Sequence, residues 1–213
     1  MTPWPMHPAK RAIDVAVAAG LLVAAAPVLT CLSAAVRVMM GSPVFYRQVR
    51  AGRSGSPFTV WKFRTMAPEL DADGNEVAEG ERITRLGRWL RTTSLDELPQ
   101  LFHVLRGDMS LVGPRPLLPE YVERYSPEQA RRLLVRPGLT GAAQVSGRNM
   151  LAWEERFRLD VDYVDHATWR TDVSILRDTL RRVVRPEGIS SEGHPTSDYF
   201  LGNDEPLAAD AKD

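Results

Sequence analysis

Between Asp14 and Arg37 the chain carries no charged residue. That run, about 22 positions from Val15 to Val36, constrains the fold more than any other feature, because it is long enough to cross the hydrocarbon of a bilayer as a helix. Three readings compete: a signal peptide, a spanning anchor, and a hairpin that enters the membrane and returns to the same side. A signal peptide calls for a shorter apolar core followed by a mature extracellular domain. A spanning helix calls for Lys and Arg gathered on one flank. Here Lys10 and Arg11 precede the run, and Arg37, Arg47, Arg50 and Arg53 follow it. Pro27, in mid-run, removes a backbone donor and clashes with the preceding turn at a cost of about 3 kcal/mol in an unsupported helix. Basic flanks on both sides and a proline between them favour the re-entrant form, with both ends cytoplasmic and Lys10 and Arg11 anchoring its entry. An alanine-rich run of this kind is also compatible with a buried core helix.

After the run, Val44 to Val49 and Phe58 to Thr65 alternate around a glycine-containing turn and predict a β-hairpin. The second strand puts Lys62 and Arg64 on one face and Trp61 and Phe63 on the other, so the basic face serves either solvation or anion binding. Asp71 to Asn75 begins like a calcium loop. Glu76 stands where that loop demands glycine and Arg82 where it demands the bidentate glutamate, so the match fails and a mobile loop is expected. Trp153, Phe157, Val161 and Val164 follow helical spacing. Asp172 to Arg185 predicts a second, amphipathic helix bearing Arg177, Arg181, Arg182 and Arg185, suited to an anionic membrane surface. The expectation is an α+β fold, mainly helical and membrane-associated, with a β-hairpin, a re-entrant helix and amphipathic interfacial helices. It divides into residues 1–40 (membrane helix), 41–202 (catalytic domain) and 203–213 (flexible tail).

Composition enters mainly by exclusion. Lys+Arg and Asp+Glu both total 27, which argues against bulk electrostatic binding of nucleic acid. The single cysteine, Cys31, rules out an intramolecular disulfide and fits a reducing compartment.

The chemistry concentrates between Arg91 and Arg115. Ser94 and Glu97 have capping-box spacing and Pro99 suits the first position of a helix, so Asp96 and Glu97 fall near a helix N-terminus in either case. Two carboxylates there are compatible with caps and nothing more, and most arginines are surface solvators. Against that, Arg91 precedes the pair and Arg115 is held between Pro114 and Pro116, which restrict its backbone. Arg136 and Arg148 bracket a glycine-containing segment suited to phosphate oxygens. A helix end supplies only about 0.3 to 1 kcal/mol to an anion, too little to bring a pyrophosphate beside two carboxylates. A divalent cation is therefore expected alongside the arginines.

Lys-Phe-Arg-Thr-Met at 62–66, Thr-Ser-Leu-Asp-Glu-Leu-Pro-Gln at 93–100, Gly-Asp-Met-Ser-Leu-Val-Gly-Pro-Arg-Pro at 107–116 and Arg-Pro-Gly-Leu-Thr-Gly at 136–141 together resemble the bacterial sugar transferase family, the polyprenol-phosphate phosphoglycosyl transferases of the small monotopic type. The resemblance runs from about Lys10 to Asn203. It implies a ping-pong transfer of a sugar phosphate from a UDP-sugar to undecaprenyl phosphate on the cytoplasmic face of the bacterial inner membrane. It further implies Asp96 as nucleophile, Glu97 as its partner in Mg²⁺ binding or positioning, and Lys62, Arg64, Arg91, Arg115, Arg136 and Arg148 as substrate contacts. The family's re-entrant helix usually breaks at Ser-Pro, where this chain has Ala26-Pro27. Ser190 to Thr196, followed by Phe200-Leu-Gly-Asn, looks like members acting on UDP-diacetylbacillosamine, with His194 of either structural or functional use. Two other classes fit parts of the pattern: a Mg²⁺-dependent phosphohydrolase with water as acceptor, and a membrane-tethered anion-binding module without catalysis.

Overall fold

The computed structural model describes residues 2–68, 77–147, 151–184 and 199–203. Arg148, the Asp71–Asn75 loop, the Ser190–Thr196 segment with His194, and the tail beyond Asn203 lie outside the described residues. The architecture is α+β, as expected from the sequence. A long helix α1 (Pro8–Met40) is followed by strands β1 (Phe45–Ala51) and β2 (Pro57–Phe63), then helices α2 (Arg85–Thr92) and α3 (Leu101–Arg106). Strands β3 (Ser110–Val112) and β4 (Gly138–Thr140) and helices α4 (Ala142–Ser146), α5 (Trp153–His166) and α6 (Trp169–Val184) complete the order. β1 and β2 pair antiparallel, with Tyr46 opposite Lys62, Gln48 opposite Val60 and Arg50 opposite Phe58. β3 and β4 form a short parallel pair.

α1 begins where Pro8 supplies a first-turn residue needing no donor and where the His7 ring accepts from the Ala9 amide at 3.2 Å. It continues through Pro27 to Met40, so the proline lies within the helix and does not end it. Thr30 and Ser33 bond back to the Ala26 and Leu29 carbonyls, a pattern that tends to bend helices. Only 11% of the apolar window is buried inside the fold. Ala18 and Leu22 pack in the central core with Leu101, Val104, Met109, Leu111 and Val112. Leu32 and Val36 pack with Phe63 and Leu90. Both limbs therefore rest on the same domain, while Val23 between them is 78% exposed.

The basic entry flank requires a correction. Lys10 is not free to meet headgroups: it is 3% exposed and pairs with Asp172 at 2.8 Å and Asp14 at 3.4 Å. A buried ammonium persists only when paired in this way. Tyr163 and Trp4 also donate to Asp172, at 2.7 and 2.9 Å, and Ser110 donates to Asp14 at 2.6 Å. Arg11 donates to the Val104 and Leu105 carbonyls at 2.6 and 3.0 Å, covering acceptors that the end of α3 leaves without helical partners.

α6 spans Trp169 to Val184 and splits its apolar residues between two faces. Asp172 and Ile175 turn inward, and Thr179 meets Thr140 at 2.7 Å. Trp169, Val173, Leu176 and Leu180, four residues at helical spacing, are exposed, beside exposed Arg177 and Arg181. In α5 the predicted stripe is inward: Phe157, Val161 and Val164 are buried.

Candidate active site

The loop that carries the carboxylates is built by two close approaches. Thr84 caps α2 by accepting from the Gly87 amide at 2.9 Å, and a Cβ on Gly87 would lie 1.8 Å from the Thr65 carbonyl oxygen, so α2 sits against the end of β2 only because residue 87 is glycine. α2 stops at Thr92, and Ser94 takes a left-handed conformation (φ 56°) that redirects the chain into a 3-10 segment, Leu95–Gln100. The predicted side-chain capping bond from Ser94 is not made. Its place is taken by the backbone, the Glu97 amide donating to the Ser94 carbonyl at 3.2 Å. Asp96 and Glu97 occupy the first turn of that segment, as the spacing predicted.

Arg115 arrives by a second route. β3 leads through Gly113 and Pro114, and the Gly138 amide donates to the Pro114 carbonyl at 2.9 Å. A Cβ on Gly138 would lie 2.1 Å from the Gly113 nitrogen, so glycine is required for the two backbones to meet. The carbonyl of Arg115 accepts from Arg132 at 2.7 Å, and Arg132 is clamped by Asp160 at 2.7 Å and by Tyr125 at 3.1 Å. That support, whose Arg132 and Asp160 are buried, carries no local sequence signal, since Arg132 lies in a polar stretch and Asp160 resembles an ordinary helix surface residue.

The result is an ordered charge constellation. Glu97 Oε1 accepts from Lys62 at 2.5 Å and from Arg115 at 3.2 Å. Burial pushes the Glu97 carboxyl up, but Lys62 and Arg115 outweigh it and hold the group down at about 2. Asp96 has the opposite balance. Burial and the neighbouring Glu97 charge raise it to about 6, against the opposing pull of Lys62, Arg91 and Arg115. One carboxylate is thus fixed and ionised, while the other is ionised at neutral pH but at an electrostatic cost. Divergent acidities in adjacent carboxylates mark sites of chemistry more often than helix caps.

Of the other predicted contacts, Arg91 acts on the pair while Arg64 and Arg136 fall elsewhere. Arg91 acts on Asp96 and is steadied by a 2.9 Å bond to Thr65 Oγ1. Arg64 donates to the Met40 carbonyl and, at 3.0 Å, to the Ser42 carbonyl, so its guanidinium secures the exit of α1. Arg136 donates to the Gly107 carbonyl at 2.8 Å, and neither it nor Arg64 is among the main charges acting on the pair. His103 was not predicted. It is 2% exposed, its Nε2 accepts from the Trp61 amide at 3.2 Å and its Nδ1 lies 3.2 Å from Asp108, tying β2 and hence Lys62 to α3. Burial lowers its pKa, which favours the neutral ring able to accept that bond.

Among the described residues no group of three or more His, Cys, Asp or Glu side chains is arranged for a metal. Two carboxylates nevertheless suit Mg²⁺, which keeps several waters and commonly takes one or two carboxylates together with substrate phosphates.

A family model described as bacterial sugar transferase matches residues 6–186. The chain belongs to the bacterial sugar transferase family. It is 48% identical over 194 residues to an uncharacterized sugar transferase, EpsL, of Bacillus subtilis, covering 91% of this chain and 96% of that protein. It is 43% identical over 181 residues to a UDP-glucose:undecaprenyl-phosphate glucose-1-phosphate transferase of Caulobacter vibrioides, covering 79% of this chain and 67% of that one. An undecaprenyl-phosphate galactose phosphotransferase of Salmonella typhimurium is 40% identical over 197 residues, 84% of this chain but 41% of its own length. The residues matched by the family model span the Asp96–Glu97 turn and the Pro114–Arg115 corner.

Proposed function

We propose that this sugar transferase moves a sugar 1-phosphate from a UDP-sugar to undecaprenyl phosphate through a covalent intermediate on Asp96. The observation that carries the reading is the buried Asp96 beside a Glu97 already neutralised by Lys62 and Arg115. A carboxylate that is ionised but poorly stabilised is suited to nucleophilic attack. An oxygen of Asp96 bonds to the phosphorus that bears the sugar, the bridging P–O bond breaks, and UMP leaves with the electron pair. A phosphate oxygen of the lipid then attacks the same phosphorus, the bond to Asp96 breaks, and the carboxylate is restored as the polyprenyl-diphosphate sugar departs. Arg115 and Lys62 place positive charge where the transferred oxygens become negative. Mg²⁺, held by Asp96 and Glu97 with the substrate's own phosphates, would supply further neutralisation of that charge.

The relatives named above act, by their names, on UDP-glucose or on galactose. The 190–196 segment resembles the diacetylbacillosamine branch, and UDP-N,N'-diacetylbacillosamine is the donor we put first. Membrane attachment is through α1 and the exposed apolar face of α6. Both limbs of α1 rest on the one domain, and this favours entry and return on the cytoplasmic face over a span.

The test incubates wild type, Asp96→Asn and Glu97→Gln with sugar-labelled donors and no lipid, followed by rapid quenching and peptide mapping. Label on Asp96 in the wild type, lost in Asp96→Asn, is expected. Label on Glu97 would falsify the assignment, and lipid product without any adduct would replace it with a direct displacement. UMP release that needs no lipid and continues through many turnovers would make the protein a phosphohydrolase.

A further inference from the structure

We propose that Arg50 and Gln100 form a phosphate-binding subsite beside Glu97, a placement that rests on the transfer reaction above and assigns it an additional substrate contact. Directly opposed residues of an antiparallel pair share a face, so the register that sets Tyr46 against Lys62 and Arg50 against Phe58 puts Arg50 on the Lys62 face of the hairpin. Arg50, Lys62, Arg115 and Gln100 line one small cleft with Val60 and Gly138.

The cleft's charges are not closed within the protein. Arg50 is half-buried and, among the described residues, its side chain donates only to the uncharged Gln48 oxygen, at 2.5 Å. No carboxylate pairs with it among the described residues, and Glu97 Oε1 already serves Lys62 and Arg115. Burial and the facing Arg115 lower the Arg50 pKa, against weaker opposing pulls from Tyr46, Tyr121 and Glu97. Gln100 is 4% exposed, and its amide has no protein partner among the described residues. The amide therefore reaches the cleft with donor and acceptor atoms available to a ligand. Lys62 and Arg115 share the charges of Glu97 and Asp96, whereas Arg50 has no carboxylate partner among the described residues, which leaves its guanidinium for a phosphate oxyanion whose oxygens it can bind in pairs. That oxyanion belongs either to the donor pyrophosphate or to the lipid phosphate.

The experiment uses full-length protein in detergent and compares wild type, Arg50→Gln, Arg50→Lys, Gln100→Leu and the control Arg47→Gln, whose side chain stacks on Trp61. Inorganic pyrophosphate binding is read by calorimetry, UMP release in the absence of lipid reports the donor, and the KM for undecaprenyl phosphate reports the acceptor. Loss of one charge-assisted contact should weaken pyrophosphate binding about tenfold or more in Arg50→Gln, less in Gln100→Leu and Arg50→Lys, and not in Arg47→Gln. A slowed UMP burst then assigns the oxyanion to the donor, and a raised lipid KM with an unchanged burst assigns it to the acceptor. Pyrophosphate binding in Arg50→Gln equal to wild type, at an unchanged melting temperature, overturns the subsite. Should Arg50→Gln misfold, the same equality in Arg50→Lys and Gln100→Leu overturns it. Because pyrophosphate binding is measured without turnover, the subsite is decided even if the wild type transfers nothing to lipid.

Discussion

Two clusters in this protein pair a lysine with two carboxylates, and they are finished in opposite ways. Around Lys10, the carboxylates Asp14 and Asp172 belong to different helices and every polar atom finds an internal partner, with Tyr163, Trp4 and Ser110 closing the set. Around Lys62, Asp96 and Glu97 are neighbours in one turn. Glu97 takes Lys62 and Arg115, Asp96 is left with a raised pKa, and Arg50 pairs with no acid among the described residues. The first cluster completes itself and holds α1 to the domain. The second lines a cleft and, among the described residues, leaves Arg50 without a carboxylate. Charge alone does not mark a site; charge left open at a cleft does.

The contrast is broken most directly by removing one member of each set. Asp96→Asn should lower turnover by more than about a thousandfold, since a neutral amide cannot make the phosphoryl bond. Steady-state release of UMP measures it, and residual activity near wild type would place the chemistry elsewhere. Lys10→Met should leave two buried carboxylates uncompensated and cost about 3–5 kcal/mol. Denaturant unfolding in micelles reads that loss, and the folded fraction should retain its KM values. A fall in KM-corrected turnover with unchanged stability would make the Lys10 cluster functional and erase the distinction.

What the sequence revealed follows the same division. Periodicity and punctuation located α1, the hairpin, the α5 stripe and the amphipathic α6, because those signals are local. Adjacent motif residues also placed Asp96, Glu97 and Arg115. The partners of Lys10 and Arg132 were hidden, since Asp172 lies 162 residues from Lys10 and Asp160 lies 28 from Arg132. No spacing rule predicts a contact at such separation. Arg64 shows the converse error. It shares the strand and the motif of Lys62, yet at the strand's end its guanidinium finds the free carbonyls of Met40 and Ser42 before it reaches the carboxylates. The anchoring role expected of Lys10 failed for a related reason: flanking charge is read as solvated until a distant acid is known.

Arg115 and Arg124 sharpen the comparison at intermediate size. Both follow the same corner of the chain, but Arg124 donates to the Phe200 carbonyl at 2.5 Å and lies over Tyr199, whereas Arg115 meets Glu97. Arg115→Ala should reduce kcat/KM about a hundredfold, the scale of one donor lost from a charge-stabilising site. Arg124→Ala should act mainly on stability. Equal kcat/KM values for the two variants would remove Arg115 from the reaction.

The smallest effect is thermodynamic and separates the clusters by sign. Asp96 has a folded pKa of about 6 against 3.8 for an ordinary aspartate, so between those limits the folded state binds the extra proton. Stability associated with Asp96 is therefore full below the lower value and is lost as pH rises through the upper one. Glu97, held at about 2, contributes the opposite: its stabilisation is present above its ordinary carboxylate range and is lost only as pH falls towards 2. Near pH 7.5, without metal or substrate, Asp96→Asn should accordingly raise stability by roughly 1–3 kcal/mol, the scale of two pKa units in a buried group. The same variant should differ little from wild type near pH 4. Chemical unfolding at the two pH values measures it. A destabilised Asp96→Asn at pH 7.5 would mean that Asp96 is satisfied within the fold, as Asp172 is, and the opposition between a closed cluster and an open one would no longer hold.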